Sequence, residues 1–188
     1  RVELAGGTPL SQTIIGTMMR IDLARPLDPG DAITFEVDWA APIIPSTTLR
    51  ARSGYEWFMD DNNAIYEIAQ WFPRLCAYTD DDGWQNKQFT GRSEFALEFG
   101  DYDLAITVPE TFVVTSSGVL LNEGEVLTDQ QRERLQTAET ANRPTFVITP
   151  EEAQANEDRD QLMIERGERG DRTWRFRAEN VRDVAWAA

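Results

Sequence analysis

Residues 32–39 read AITFEVDW. Ile33, Phe35, Val37 and Trp39 alternate with Thr34, Glu36 and Asp38, so the apolar side chains share one face of an extended chain and the polar ones the other. That alternation predicts a strand with one buried face. Burying the four apolar side chains would contribute about 6–12 kcal/mol before chain entropy is subtracted. Upstream, Ile15, Thr17, Met19, Ile21 and Leu23 alternate in the same way, and RPLDPGD (25–31) supplies turn chemistry through Pro29-Gly30. Residues 12–39 are therefore expected to form a β-hairpin. A lone hairpin is marginal in water, so more strands must cover it.

Further strands are expected at Ala64–Trp71, Ser93–Phe99, Tyr102–Val108, Phe112–Ser116, Thr173–Ala178 and Val181–Ala187. Gly100-Asp101, between EFALEF and YDLAITV, reads as the turn of a second hairpin. Many short strands with turns between them predict a mainly β fold, an antiparallel sandwich or curved sheet. One or two helices interrupt it. TDQQ (Thr128 to Gln131) and TPEE (Thr149 to Glu152) are capping boxes, the second with Pro150 at the first helical position. The first helix should run to about Ala141, and the charged stretch after the second box should be a solvated helix. Together they make a helical insertion over about 128–165 in a single domain spanning 1–188.

Composition narrows the function classes. The formal charge is −15 and the pI about 4.3, which disfavours nucleic-acid backbones and anionic membrane surfaces. No stretch approaches the ~20 apolar residues of a membrane-spanning helix. Cys76 is alone, so no internal disulfide forms, and its apolar neighbours suggest a small buried hydrophobe. Histidine is absent. A His-ligated zinc, a Ser-His-Asp triad and a Cys-His pair are each impossible within these residues.

Two clusters remain as candidate chemistry. Asp80, Asp81 and Asp82 precede Gly83 in TDDDGW, and carboxylates crowded in a loop can hold calcium. The EF-hand spacing fails, because Tyr78 and Phe89 would occupy its first and twelfth positions, so an acidic turn is the better reading. Trp57, Phe58, Trp71, Phe72 and Trp84 lie close in sequence and could form a sugar- or peptide-binding face, although core packing explains most such rings. The 33 acidic residues offer many carboxylate pairs, but no motif selects any two for glycoside hydrolysis.

Three ordered segments carry a resemblance: IAQWFPRLCAYTDDDGWQ (68–85), GRSEFALEFGDYDLAITVPETFVVTSSGVLLN (91–122) and TWRFRAENVRDVAWAA (173–188). This succession resembles the N-terminal domain of bacterial aminopeptidase N-like zinc metallopeptidases, the gluzincins. FGDYDLAITVPETFVVTSSG is the specific part: an acidic turn, a strand, Pro109, a second strand and a small-residue turn. The resemblance covers roughly residues 10–188 and implies a saddle-shaped sheet. Family members hold zinc with an H-E-x-x-H helix and a downstream Glu, and the substrate amine with a G-x-M-E-N strand. Neither motif occurs here, and in the family both lie in the following domain.

The resemblance thus implies an auxiliary, non-catalytic domain with no catalytic residues, metal ligands or cofactor of its own. Its partner would be a catalytic domain after residue 188, carrying the zinc, with peptides as the shared substrate. It also implies a bacterial protein that is periplasmic or otherwise exported. Val181–Ala187 would be the last strand, pairing with Thr173–Ala178 and leading into that domain. One substrate-binding residue is carried over: Gln70 of AQWFP, near the pocket for the substrate's first side chain. A Gln hydrogen-bonded at a strand end is the competing reading. The alternative function is a stand-alone β-sandwich module that binds peptides or carbohydrates.

Overall fold

The computed structural model describes residues 1–48, 52–90, 96–168 and 170–188. The chain is mainly β, and its described residues form several antiparallel sheets and three helices, with no closed barrel among them. It groups into two compact units, one of residues 1–42 with 72–98 and the other of residues 43–71 with 99–188. In chain order the strands begin with β1 (Val2–Leu4), β2 (Ser11–Ile15), β3 (Met18–Asp22) and β4 (Phe35–Val37). They continue with β5 (Ser53–Phe58), β6 (Asn63–Ile68), β7 (Tyr78–Thr79) and β8 (Gly83–Trp84). The rest are β9 (Gly100–Pro109), β10 (Thr115–Ser116), β11 (Val119–Leu120), β12 (Asp171–Val181) and β13 (Trp186–Ala187). Between β11 and β12 come α1 (Glu123–Val126), α2 (Asp129–Thr140) and α3 (Pro150–Arg166).

The first unit is built from three two-stranded pieces. β1 pairs with β4, Val2 opposite Val37. β2 pairs with β3, and β7 with β8. The expected hairpin over 12–39 is therefore replaced by a tighter one. β2 and β3 close through Gly16-Thr17, with Gly16 in the left-handed region at φ 57°. A two-residue loop costs less closure entropy than the RPLDPGD connection would, and glycine supplies the positive φ. The Gln88 side chain ties the turn, its amide donating to the Ile15 carbonyl at 2.8 Å and its oxygen accepting from the Thr17 N–H at 2.8 Å. The strand within AITFEVDW shrinks to β4, and none of Ile33, Phe35, Val37 and Trp39 is buried. Among the described residues, this unit's fully buried apolar side chains are Val2 and Ala77. Cys76 is half-buried rather than buried.

The second unit holds a continuous core. β12 lies between β9 and β11, and Trp174, Phe176 and Ala178 stand opposite Ile106, Leu104 and Tyr102 on one face. Five of these six are buried, Trp174 to 2% exposure, while intervening residues such as Ala105 and Arg175 face water. Period two here does bury a face: α1 lies against β12, and Val126, Leu127, Val114, Ile68 and Val184 are buried too. The second sheet runs β10-β13-β6-β5. Two corrections follow. Gly100 and Asp101 belong to β9 and pair across to β12, so they make no hairpin turn; of the expected Ser93–Phe99 strand, residues 93–95 lie outside the described residues and 96–99 are not strand. The Thr173–Ala178 strand pairs with β9 and β11, not with the C-terminal strand, which lies between β6 and β10.

The chain passes directly between the two sheets three times, first from β9 to β10, and the two later passages lie together. At Ser117-Gly118 it leaves β10 for β11, and at Arg182–Ala185 it leaves β12 for β13. Gly118 sits at φ 91° with its backbone against Arg177; a Cβ there would fall 2.2 Å from the Arg177 carbonyl oxygen. The two crossings bond to each other, Ser117 N–H to the Ala185 carbonyl at 2.9 Å and Ala185 N–H to Ser117 Oγ at 3.1 Å.

Both expected capping boxes form, at Thr128/Gln131 and Thr149/Glu152, and Pro150 opens α3. Local chemistry decides these, so no distant partner is needed. The helices lie inside the insertion read at about 128–165, with α1 an added single turn. α3 buries no residue, in keeping with its charge. The Thr111 hydroxyl ties it to the sheet by donating to Asp160 at 2.7 Å. Arg134 of α2 pairs with Glu152 of α3 at 2.5 Å.

Candidate substrate-facing surface

Gln70 follows β6, the inner strand flanked by β5 and β13. Its neighbours are both pinned. The Ala69 N–H donates to Ser53 Oγ at 2.9 Å, and Trp71 Nε1 donates to the Val184 carbonyl at 3.1 Å. The Trp71 ring meets Trp186 edge-on, with centroids 6.3 Å apart and planes at 87°. Between these anchors Gln70 takes φ 51°. A glutamine has no local bond that favours the left-handed region, so that conformation costs of order 1 kcal/mol and persists because the anchors impose it. Its side chain is half-buried.

Beside this bend lies a shallow, open depression of about 300 Å³. Arg52, Glu67, Thr115, Ser116 and Trp186 line it, together with Ile68 and Ala69, which precede Gln70. Gln70 is not among its lining residues. The volume matches the small end of ligand sites, enough for one side chain or a chain terminus. A carboxylate, a guanidinium, two hydroxyls and an indole offer donors and acceptors. They supply no nucleophile–base pair.

The aromatic cluster divides. Trp57, Phe58 and Trp71 belong to the second unit, Phe72 and Trp84 to the first. Trp57 and Trp84 are 52% and 54% exposed, whereas Trp71 and Phe72 are half-buried. Trp84 packs edge-on to Tyr78 across the β7–β8 pair. Asp80, Asp81 and Asp82 form the turn between those strands. The Thr79 side chain, by hydrogen bonding Asp81, holds its carboxyl below the ordinary range, and Lys87 reaches Asp82 at 3.4 Å. Among the described residues no group of three His, Cys, Asp or Glu side chains is placed to share a metal ion. No described helix is long and apolar enough to cross a membrane.

Ser53 and Val184 escaped the sequence reading although both fix the Gln70 bend. Val184 is 1% exposed and was visible as an apolar residue near the C-terminus; Ser53 carries no local signal, since its role depends on a partner sixteen residues away. No family model, curated protein or solved structure matches the chain.

Proposed function

We propose that the chain is the non-catalytic N-terminal β domain of a bacterial aminopeptidase N-like zinc metallopeptidase, walling one side of the cleft in which N-terminal residues are removed from peptides. The observation that carries this reading is the run 99–118. Strand β9 ending at Pro109, strand β10 and the close-packed turn at Gly118 support it, although the acidic turn expected before them is part of β9. The clamped, left-handed Gln70 adds support, because strained backbone concentrates where side chains must be aimed. In this reading Gln70 meets the substrate's first side chain. Zinc does not fit the residues present, which include no histidine and, as described, no three-ligand cluster; it would belong to the neighbouring catalytic domain.

The test uses the full-length gene product. It should carry an H-E-x-x-H helix C-terminal to these residues and release nitroaniline from aminoacyl-nitroanilides, while residues 1–188 alone should not. Gln70→Ala in the full-length enzyme should raise KM about 2–10-fold, the loss of one net hydrogen bond. An encoded protein without that motif, or turnover by residues 1–188, overturns the assignment. The exposed Trp57 and Phe58 favour a second reading, a free-standing peptide- or carbohydrate-binding module. That reading expects their fluorescence to respond to ligand in a protein with no catalytic domain.

A further inference from the structure

Among the described residues β5 has one strand neighbour, β6, and its outer edge is only half covered. Tyr55 N–H donates to the Ile44 carbonyl at 3.0 Å, and the Tyr55 carbonyl accepts from Ser46 N–H at 2.8 Å, as residues 44–46 run parallel alongside. That covering segment then turns away, Thr48 N–H bonding back to Pro45. Backbone groups of residues two apart point to the same edge of a strand, so the N–H and C=O of Trp57 face outward beyond the covered part. Tyr66, opposite Tyr55, agrees with this phase: it exchanges both backbone bonds with Ala188 on the side away from β5. No described residue bonds the outward groups of Trp57.

The side chains there are apolar and acidic. Trp57 is 52% exposed and Met59 84%, with Phe58 and Ile65 also exposed. Glu56, Asp60 and Asp61 lie among them, all exposed, and residues 53–64 contain no Lys or Arg. An open backbone edge accepts an extended chain, and the carboxylates beside it select its charge.

We propose that this edge takes up an extended segment of another protein by strand addition at Trp57, the segment alternating apolar residues with Lys or Arg. A second copy of this chain is the wrong occupant, because its own β5 would bring the same carboxylates opposite these. The proposal stands independently of the aminopeptidase reading.

The probe is an acetylated, amidated peptide of alternating Lys and Val, titrated into the isotope-labelled chain. Binding should shift the backbone amide and indole resonances of Trp57. The same peptide N-methylated along one edge should bind about fivefold more weakly, having lost about one net hydrogen bond, its own N–H to the Trp57 carbonyl. A Glu-Val peptide should not bind. Trp57→Pro removes an N–H that the β5–β6 ladder does not use, a change edge strands tolerate, and should abolish binding with circular dichroism unchanged. Should that variant misfold, the N-methylated peptide on the unmodified chain still decides. Equal binding by the N-methylated or the Glu-Val peptide, absence of a Trp57 shift, or a concentration-dependent dimer centred on Trp57 would each overturn the proposal.

Discussion

The two units use the same alternating pattern to different ends. In the second, ten- and eleven-residue strands β9 and β12 run side by side, and their apolar positions face a shared interior with Val114, Val126 and Val184. In the first, the paired strands are two to five residues long, and Ile14 and Ile15 stand 66% and 67% exposed. Alternation says which residues share a face. Whether that face is buried depends on what the rest of the chain lays over it, and in the first unit the described residues lay over little. The second unit should therefore set the global stability, with the first opening at lower free energy.

Removing residues 181–188 should test that most severely. It deletes β13 from between β6 and β10 and takes Val184 out of the core. Loss of the cooperative thermal transition is expected; an unchanged midpoint would mean that the sheet holds without its inner strand. Next, Trp174→Ala should cost about 3–5 kcal/mol by urea denaturation, while Phe35→Ala in β4 should cost less than about 1 kcal/mol. Equal losses would break the comparison. Gly118→Ala adds a methyl against the Arg177 carbonyl at positive φ and should cost about 1–3 kcal/mol, read from the same denaturation curves.

Hydrogen exchange sharpens the contrast without mutation. Amides of β9 and β12 should exchange through global unfolding, and those of β2 and β3 faster, still faster in Gln88→Ala, which unties their turn. The smallest effect concerns pH. The Arg134 guanidinium, then the Thr149 N–H, hold the Glu152 carboxyl at about 2 against an ordinary 4.5. A lowered folded-state value stabilises above the unfolded one, so the α2–α3 link should be complete above about pH 4.5 and be lost as pH falls toward 2. The helical circular dichroism signal followed over that range should lose this component in Arg134→Met. Both side chains are partly solvated, so the effect is small.

What was legible in the sequence follows the distance over which each feature is decided. The capping boxes are settled within four residues, and both stood where Thr128 and Thr149 predicted. The mainly β class needed only composition and period. Strand partners are settled across the chain: AITFEVDW carries the signal of a hairpin with the strand before it, yet β4 pairs with β1 while β3 pairs with β2. Gly100-Asp101 carried turn chemistry and was overruled by a partner about eighty residues on. For the candidate site, Gln70 and Trp71 were visible as residues. The bend that aims them was not, since glutamine has no left-handed preference and its anchors, Ser53 and Val184, come from β5 and from the crossing that precedes β13.

The position of β13 has a mechanical consequence. It is bonded along both flanks, to β6 and β10, and its approach is stapled through Ala185 to the crossing at Ser117. A pull on Ala188 along the strand axis loads those bonds side by side, in shear, rather than peeling them one at a time. The same staple passes the load on to the turn that begins β11. Force applied at that end of the chain is thus shared between two sheets before any single bond gives way, and the second unit should yield to tension as one body.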